Sequence, residues 1–167
     1  MIVALTGAAL AQHSPFAGQG AREIKALSPQ EVSDLLEGRG MGLAKVAELN
    51  HYPGPKHVLE LARELSLSES QLAVTREIYD RMRRKAVPLG KQIVAREREL
   101  EHLFGSERAQ KDATRALLTE IAHLQGELRA THIEAHMETK QLLTPDQLRD
   151  YDRLRGYATN GHHSHQH

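Results

Sequence analysis

The chain predicts an all-α fold, a long antiparallel helical hairpin with short flanking helices. Three observations lead there. The phrase Leu67-Ser68-Glu69-Ser70-Gln71-Leu72 returns as Leu143-Thr144-Pro145-Asp146-Gln147-Leu148, with a looser copy at Leu27-Ser28-Pro29-Gln30-Glu31-Val32. Each copy is a complete helix start. Ser or Thr can accept from a free backbone N–H, and Gln or Glu three residues on can reach back to the cap. Pro29 and Pro145 fall at the first helical position, where a missing N–H costs nothing. Between the second and third copies, apolar residues step by three, four or seven. Aromatics make up only 4 % of the 167 residues and Trp is absent, which favours helices packed side to side.

The first residues differ from the rest. Ile2 to Ala11 is an apolar run too short to span a membrane, and it ends Ala9-Leu10-Ala11 before Gln12. A small-x-small ending suits signal peptidase, although the basic start of a secretory signal is missing. Residues 1–11 therefore read as a truncated signal peptide; the plain alternative is an apolar tail.

Residues 12–55 read as an N-terminal extension with short helices. One follows the cap at Ser28 and stops near Gly38-Arg39-Gly40; another fits Leu43 to Leu49. Tyr52-Pro53-Gly54-Pro55 is a strong turn. Residues 56–157 form the main helical domain. A segment from Lys56 to Leu65 carries Val58, Leu59, Ala62 and Leu65 on one side. The first long helix starts at Ser68 and extends to Phe104. Its seam is Leu72, Tyr79, Met82, Ala86, Leu89, Ile93, Leu100 and Leu103. Pro88 inside this run predicts a bend at Arg84 to Pro88. Gly105-Ser106 ends the helix. The second long helix spans Glu107 to Leu142, with Leu117, Ile121, Leu124, Leu128, Ala135 and Leu142 as its seam. Each helix is roughly 50 Å long at about 1.5 Å per residue. Their short connection makes them antiparallel. A last helix fits Pro145 to Gly156, and the His-rich residues 158–167 are expected to be a disordered tail. One seam buries little area, so a homodimer sharing the remaining apolar faces is expected over a compact four-helix monomer.

The 22 basic and 22 acidic residues balance, so bulk charge does not argue for nucleic acid or membrane. Without Cys, disulfides, thiolate metal sites and cysteine nucleophiles are excluded. No phosphate-cradling loop, nucleophile elbow or facing carboxylate pair is present, which argues against an enzyme. Gly38-Arg39-Gly40-Met41-Gly42 lacks the preceding strand that a phosphate loop needs.

Histidine is the informative residue, with 11 in the chain. His132 and His136 lie four apart on one helix face, a spacing that suits two imidazoles on one metal ion. Ile133, Glu134 and Ala135 between them do not make H-E-x-x-H, so a zincin protease is not supported. The bland alternative is a half-buried His beside a polar one. His51 and His57 bracket the Tyr-Pro-Gly-Pro turn, and Met137 and Glu138 are further donors. His102 and His123 are expected to face solvent. His162, His163, His165 and His167 form a tract able to bind Zn, Ni or Cu ions weakly. Such ions are candidate ligands; no cofactor is required.

Arg76, Arg81, Arg83, Arg84 and Lys85 give the first long helix a basic stretch, interleaved with Glu77 and Asp80. It reads either as a solvated face or as a rim for unfolded, acidic or amphipathic segments, with Met82 and Leu89 as apolar neighbours. No interleaved aromatics support single-stranded nucleic acid.

The twin phrase, the long hairpin between its copies and the export-like start together resemble the Spy/CpxP family of periplasmic stress proteins, known for L-T-x-x-Q motifs. Leu143-Thr144-Pro145-Asp146-Gln147 matches that motif fully; Leu67-Ser68-Glu69-Ser70-Gln71 matches with Ser for Thr. The resemblance covers about Lys56 to Tyr157. It implies a cradle-shaped helical homodimer in the periplasm. Its action would be that of an ATP-independent chaperone or envelope-stress accessory protein. Partners would be unfolded or stress-damaged proteins and a membrane-bound stress sensor. Related members sense or bind heavy metals through His with acidic or Met side chains near the helix preceding the last motif.

Overall fold

The computed structural model describes residues 14–157. The signal-like segment and the terminal His tract lie outside them. The described residues form a short 3-10 turn, Gln19–Ala21, and six α-helices: α1 Pro29–Glu37, α2 Lys45–Glu48, α3 Pro55–Glu60, α4 Glu69–Gly105, α5 Lys111–Leu142 and α6 Pro145–Arg155. Helices α4 and α5 pack against each other as the predicted hairpin, and α1 and α3 lie against α4.

All three motif copies cap helices as their sequences require. The Ser28, Ser68 and Thr144 oxygens accept from the backbone N–H of Glu31, Gln71 and Gln147. Those three side chains return the bond at 2.7, 3.0 and 3.0 Å. The two distant copies also meet. Gln71 Nε2 donates to Gln147 Oε1 at 2.8 Å, and Gln147 Nε2 donates to Gln71 Oε1 at 3.0 Å. The same amide nitrogens donate to the Leu142 and Leu65 carbonyls at 2.8 and 3.2 Å. Each amide therefore uses both N–H groups and both acceptor positions. The repeated Gln is a clasp as well as a cap: it ties the start of α4 to the start of α6.

Local sequence sets the differences from expectation. The second long helix begins at Lys111, four residues late, because Glu107 adopts a left-handed φ of 58° and the chain turns through Ser106 to Gln110. The third segment is α-helical only to Glu60 and continues as turns up to Ser66, whose φ is 49°. Helix α4 runs from Glu69 to Gly105 with Pro88 inside it, as the single long helix that the sequence predicts.

The hairpin seam matches the expected stepping on α5, where Leu117, Ile121, Leu124, Leu128 and Ala135 are buried. On α4 the buried line is Thr75, Ile78, Met82, Ala86, Gly90, Ile93 and Val94. Three clusters result. One joins Ile24 and Leu35 to Ala86, Ile93, Val94, Leu124 and Leu128. A second gathers Val58, Leu65, Leu143 and Tyr151, and a third Ile78, Met82 and Ala135. The N-terminal extension is thus packed onto the hairpin. Its closest approach is at Gly90, where a Cβ would lie 1.9 Å from the Leu35 carbonyl oxygen. Only glycine lets α1 settle on α4 there.

Candidate functional site

Where the extension covers the hairpin, it leaves a cavity of about 680 Å³. Its walls come from the Gly38–Gly42 loop, α2, the Gly54–His57 turn, Tyr79 and Met82 on α4, His132 and His136 on α5, and Tyr157. One long helix, α5, positions the paired histidines and one short helix, α2, supplies a carboxylate.

That carboxylate is Glu48, on α2 and 8 % exposed. Its Oε1 accepts from Tyr151 Oη at 2.5 Å and from Tyr157 Oη at 3.2 Å, and its Oε2 accepts from the Gly54 N–H at 3.2 Å. Around it stand His57 Nδ1 at 3.6 Å, His136 Nδ1 at 3.5 Å and Arg155 Nε at 3.5 Å. Burial alone would raise this carboxyl. The neighbouring His57 imidazole, the Tyr151 donor and the charge of His136 outweigh it and hold Glu48 down at about 2. Tyr151, 1 % exposed, is pushed upward by burial and by its bond to Glu48. Glu48 is therefore an anion fixed by two phenols and a backbone N–H.

His136 is held in one tautomer. Its Nδ1 lies 2.8 Å from the Tyr52 carbonyl, which can only accept, so Nδ1 carries the proton and Nε2 keeps its lone pair. The turn fits against the ring because residue 54 is glycine; a Cβ there would come within 2.8 Å of His136 Cε1 and Nε2. One turn earlier on α5, His132 is 3 % exposed and its Nε2 is buried without a partner. Burial, with the neighbouring His136, drives His132 down to about 4. Burial also lowers His136, against the opposing pull of Tyr52 and Glu48. Both imidazoles are neutral at pH 7, the form that ligates metal.

The structure sorts the sequence candidates. His57, His132 and His136 share the cavity, as their spacing and the turn suggested. His51 instead faces outward, its Nδ1 2.7 Å from Asp152 Oδ2. His102 and His123 are exposed, as expected, and Met137 is exposed while Glu138 pairs with Arg81. His162, His163, His165 and His167 lie outside the described residues. Among the described residues, no three His, Asp or Glu groups are gathered closely enough to hold an ion. Donors of suitable chemistry are present, but as an open set. In the basic stretch, Arg76, Arg84 and Lys85 are exposed, Arg81 is tied to Glu77 and Glu138, and Arg83 Nη2 donates to the Glu37 carbonyl at 3.2 Å. Met82 is buried and lines the cavity, while Leu89 packs half-buried against the α1 cluster.

Sequence reasoning missed Glu48, Tyr151 and Tyr157. Glu48 carried one faint signal, a carboxylate between apolar positions of a short helix. Nothing local announced that Tyr151, on the far side of the sequence, would meet it.

A family model described as heavy-metal resistance matches residues 44–150. The chain belongs to this heavy-metal resistance family. The family is related to the Spy/CpxP-like helical periplasmic proteins, in keeping with the twin motif. Its match takes in Glu48, His57, His132 and His136, while Tyr151, Arg155, Tyr157 and the Gly38–Gly42 wall lie outside it. No curated protein and no solved structure shows significant similarity to the chain.

Proposed function

We propose that the protein is a periplasmic metal-binding resistance protein rather than an enzyme, and that it takes up a Zn, Ni or Cu ion in the Glu48–His57–His132–His136 cavity. The observation that carries this reading is the state of the two α5 imidazoles. His136 presents Nε2 because Tyr52 holds Nδ1, and His132 keeps a buried, unpartnered Nε2 beside the same cavity. An orphaned buried nitrogen costs stability, and a metal ion would satisfy it. Glu48 stands 3.5 Å behind His136 Nδ1, where its negative charge raises the basicity of the opposite nitrogen and balances a bound cation. Imidazole nitrogen favours Zn, Ni and Cu, and the buried thioether of Met82 adds a soft donor to the wall. Membership of the heavy-metal resistance family agrees with it.

Calorimetric titration with Zn²⁺, Ni²⁺ and Cu²⁺ tests it, in full-length chain whose four terminal His are Asn. One ion per chain should bind with sub-millimolar affinity, and His132→Asn with His136→Asn should abolish the heat. Unchanged binding in that double variant would refute the site.

A second reading rests on the exposed apolar side chains along the thin hairpin, Val74, Phe104, Leu118 and Met137, beside exposed Arg76, Arg84 and Lys85. These suit an ATP-independent chaperone for unfolded or stress-damaged proteins, acting as a cradle-shaped homodimer alongside a membrane-bound stress sensor. Equimolar protein should slow aggregation of a reduced client without ATP; no effect at molar excess would end this reading.

A further inference from the structure

We propose that the cavity selects a soft monovalent ion, Cu(I), held by His132 Nε2, His136 Nε2 and the Met82 thioether. This rests on the metal-binding reading above and names the ion and its third ligand.

The donor count points away from a divalent ion. Zn²⁺ asks for about four ligands, yet among the described residues no three His, Asp or Glu groups gather closely enough to hold an ion. The buried carboxylate cannot make up the number without breaking its own bonds. Glu48 Oε1 already accepts from Tyr151 and Tyr157, and its Oε2 from the Gly54 N–H. His132 and His136 remain. Nε2 of His132 is buried and unpartnered, and Nε2 of His136 is left free by the bond from Nδ1 to the Tyr52 carbonyl. Cu(I), a closed-shell ion, is satisfied by about two or three imidazole or soft sulfur donors.

The wall supplies the soft donor. Two of the four methionines in the chain, Met41 and Met82, line this one cavity. Met82 is 8 % exposed and packs in one cluster with Ala135, which stands between His132 and His136 on α5. That contact sets the Met82 side chain against the helical turn that carries both imidazoles. Met41 follows Gly40, where a Cβ would lie 3.9 Å from His132 Nδ1, so a second thioether stands on the loop beside that ring. Thioether sulfur is soft and suits Cu(I), whereas Zn²⁺ takes thiolate, imidazole and carboxylate.

Charge agrees with the donor set. All three donors are neutral, so the ion keeps its full charge when it leaves water. The Born cost grows as the square of that charge, about four times more for a divalent ion than for a monovalent one of equal size. Glu48, 3.5 Å from His136 Nδ1, is a buried carboxylate that balances a single positive charge.

The test uses the full-length chain whose four terminal His are Asn, kept anaerobic. Cu(I), maintained with ascorbate, is measured by competition with a chromophoric Cu(I) chelator, and Zn²⁺ by calorimetry. One Cu(I) should bind per chain, more tightly than Zn²⁺. Met82→Leu, a swap of similar volume, should weaken Cu(I) about 10-fold or more and change Zn²⁺ affinity by less than about 3-fold. His132→Asn with His136→Asn should abolish both. Without any change at Met82, its Cε methyl resonance should shift at one equivalent of the redox-inert soft ion Ag(I) and stay in place with Zn²⁺. The inference is overturned, while the His132–His136 site stands, if Zn²⁺ binds the tighter, if Met82→Leu leaves Cu(I) affinity unchanged, or if Ag(I) does not move the Met82 methyl. If the double histidine variant binds both ions unchanged, or the parent chain binds neither, the underlying reading falls as well.

Discussion

Gln147→Glu changes one NH2 group into an oxygen and leaves the shape of the clasp unaltered. Gln147 donates twice, to Gln71 Oε1 at 3.0 Å and to the Leu65 carbonyl at 3.2 Å. It accepts twice, from Gln71 Nε2 at 2.8 Å and from the Thr144 N–H at 3.0 Å. The carboxylate keeps both accepted bonds and makes them charge-assisted, but it loses both donated ones. Its second oxygen then faces two acceptors at hydrogen-bond distance. Two lost bonds at about 1 kcal/mol each, plus that repulsion and less the strengthened pair, give a net loss of roughly 2 kcal/mol for this half-buried amide. A domain of this size then melts about 4–8 °C lower. Urea denaturation followed by far-UV circular dichroism at pH 7 measures the loss. Acid should reduce it: the folded state raises this carboxyl, so protonation restores one donor and stabilises the fold relative to the unfolded chain as pH falls toward 4. A Gln147→Glu protein within 0.5 kcal/mol of the natural one, or one whose penalty grows in acid, would refute the clasp.

Other outcomes follow from the same physics. Gly90→Ala should cost several kcal/mol, because a Cβ 1.9 Å from the Leu35 carbonyl forces α1 off α4; a melting point within a few degrees of the natural chain would contradict that packing. Metal-free protein should lose stability as pH falls from 6.5 toward 4. The unfolded chain protonates His132 there and the folded chain, held near 4, does not, a difference of about 2 kcal/mol at pH 5 that His132→Leu should remove from the urea midpoints. Below pH 4.5 Glu48 adds to the loss, since its depressed carboxyl stabilises only while ionised. Tyr151→Phe removes the 2.5 Å donor to Glu48 and should destabilise by about 1–3 kcal/mol in thermal melts at pH 7, with the Glu48 carboxyl titrating upward by NMR. Gly54→Ala should displace the His136 ring and weaken Zn²⁺ binding in calorimetry more than it lowers the melting temperature.

The helices were readable because their signals are local. A cap, its partner three residues on and an apolar residue every three or four lie within one or two turns, and Ser68, Thr144 and the α5 seam all behaved as these rules require. The left-handed Glu107 escaped, since nothing in its neighbours demanded that conformation. His132 and His136 were recognisable as a pair because four residues along a helix return to the same face. His51 and His57 looked equivalent around their turn, yet one faces Asp152 and the other Glu48.

Sequence alone decided where the helices begin, that two long ones pair and that two imidazoles share a face, because each rests on spacing within one element. Tertiary structure alone decided that Gln71 grips Gln147, that α1 docks on Gly90, and that Glu48 meets Tyr151 and His136 to close a cavity around the histidines. Those partners are far apart in the chain, and burial and hydrogen bonding select them only after the hairpin has brought their elements together.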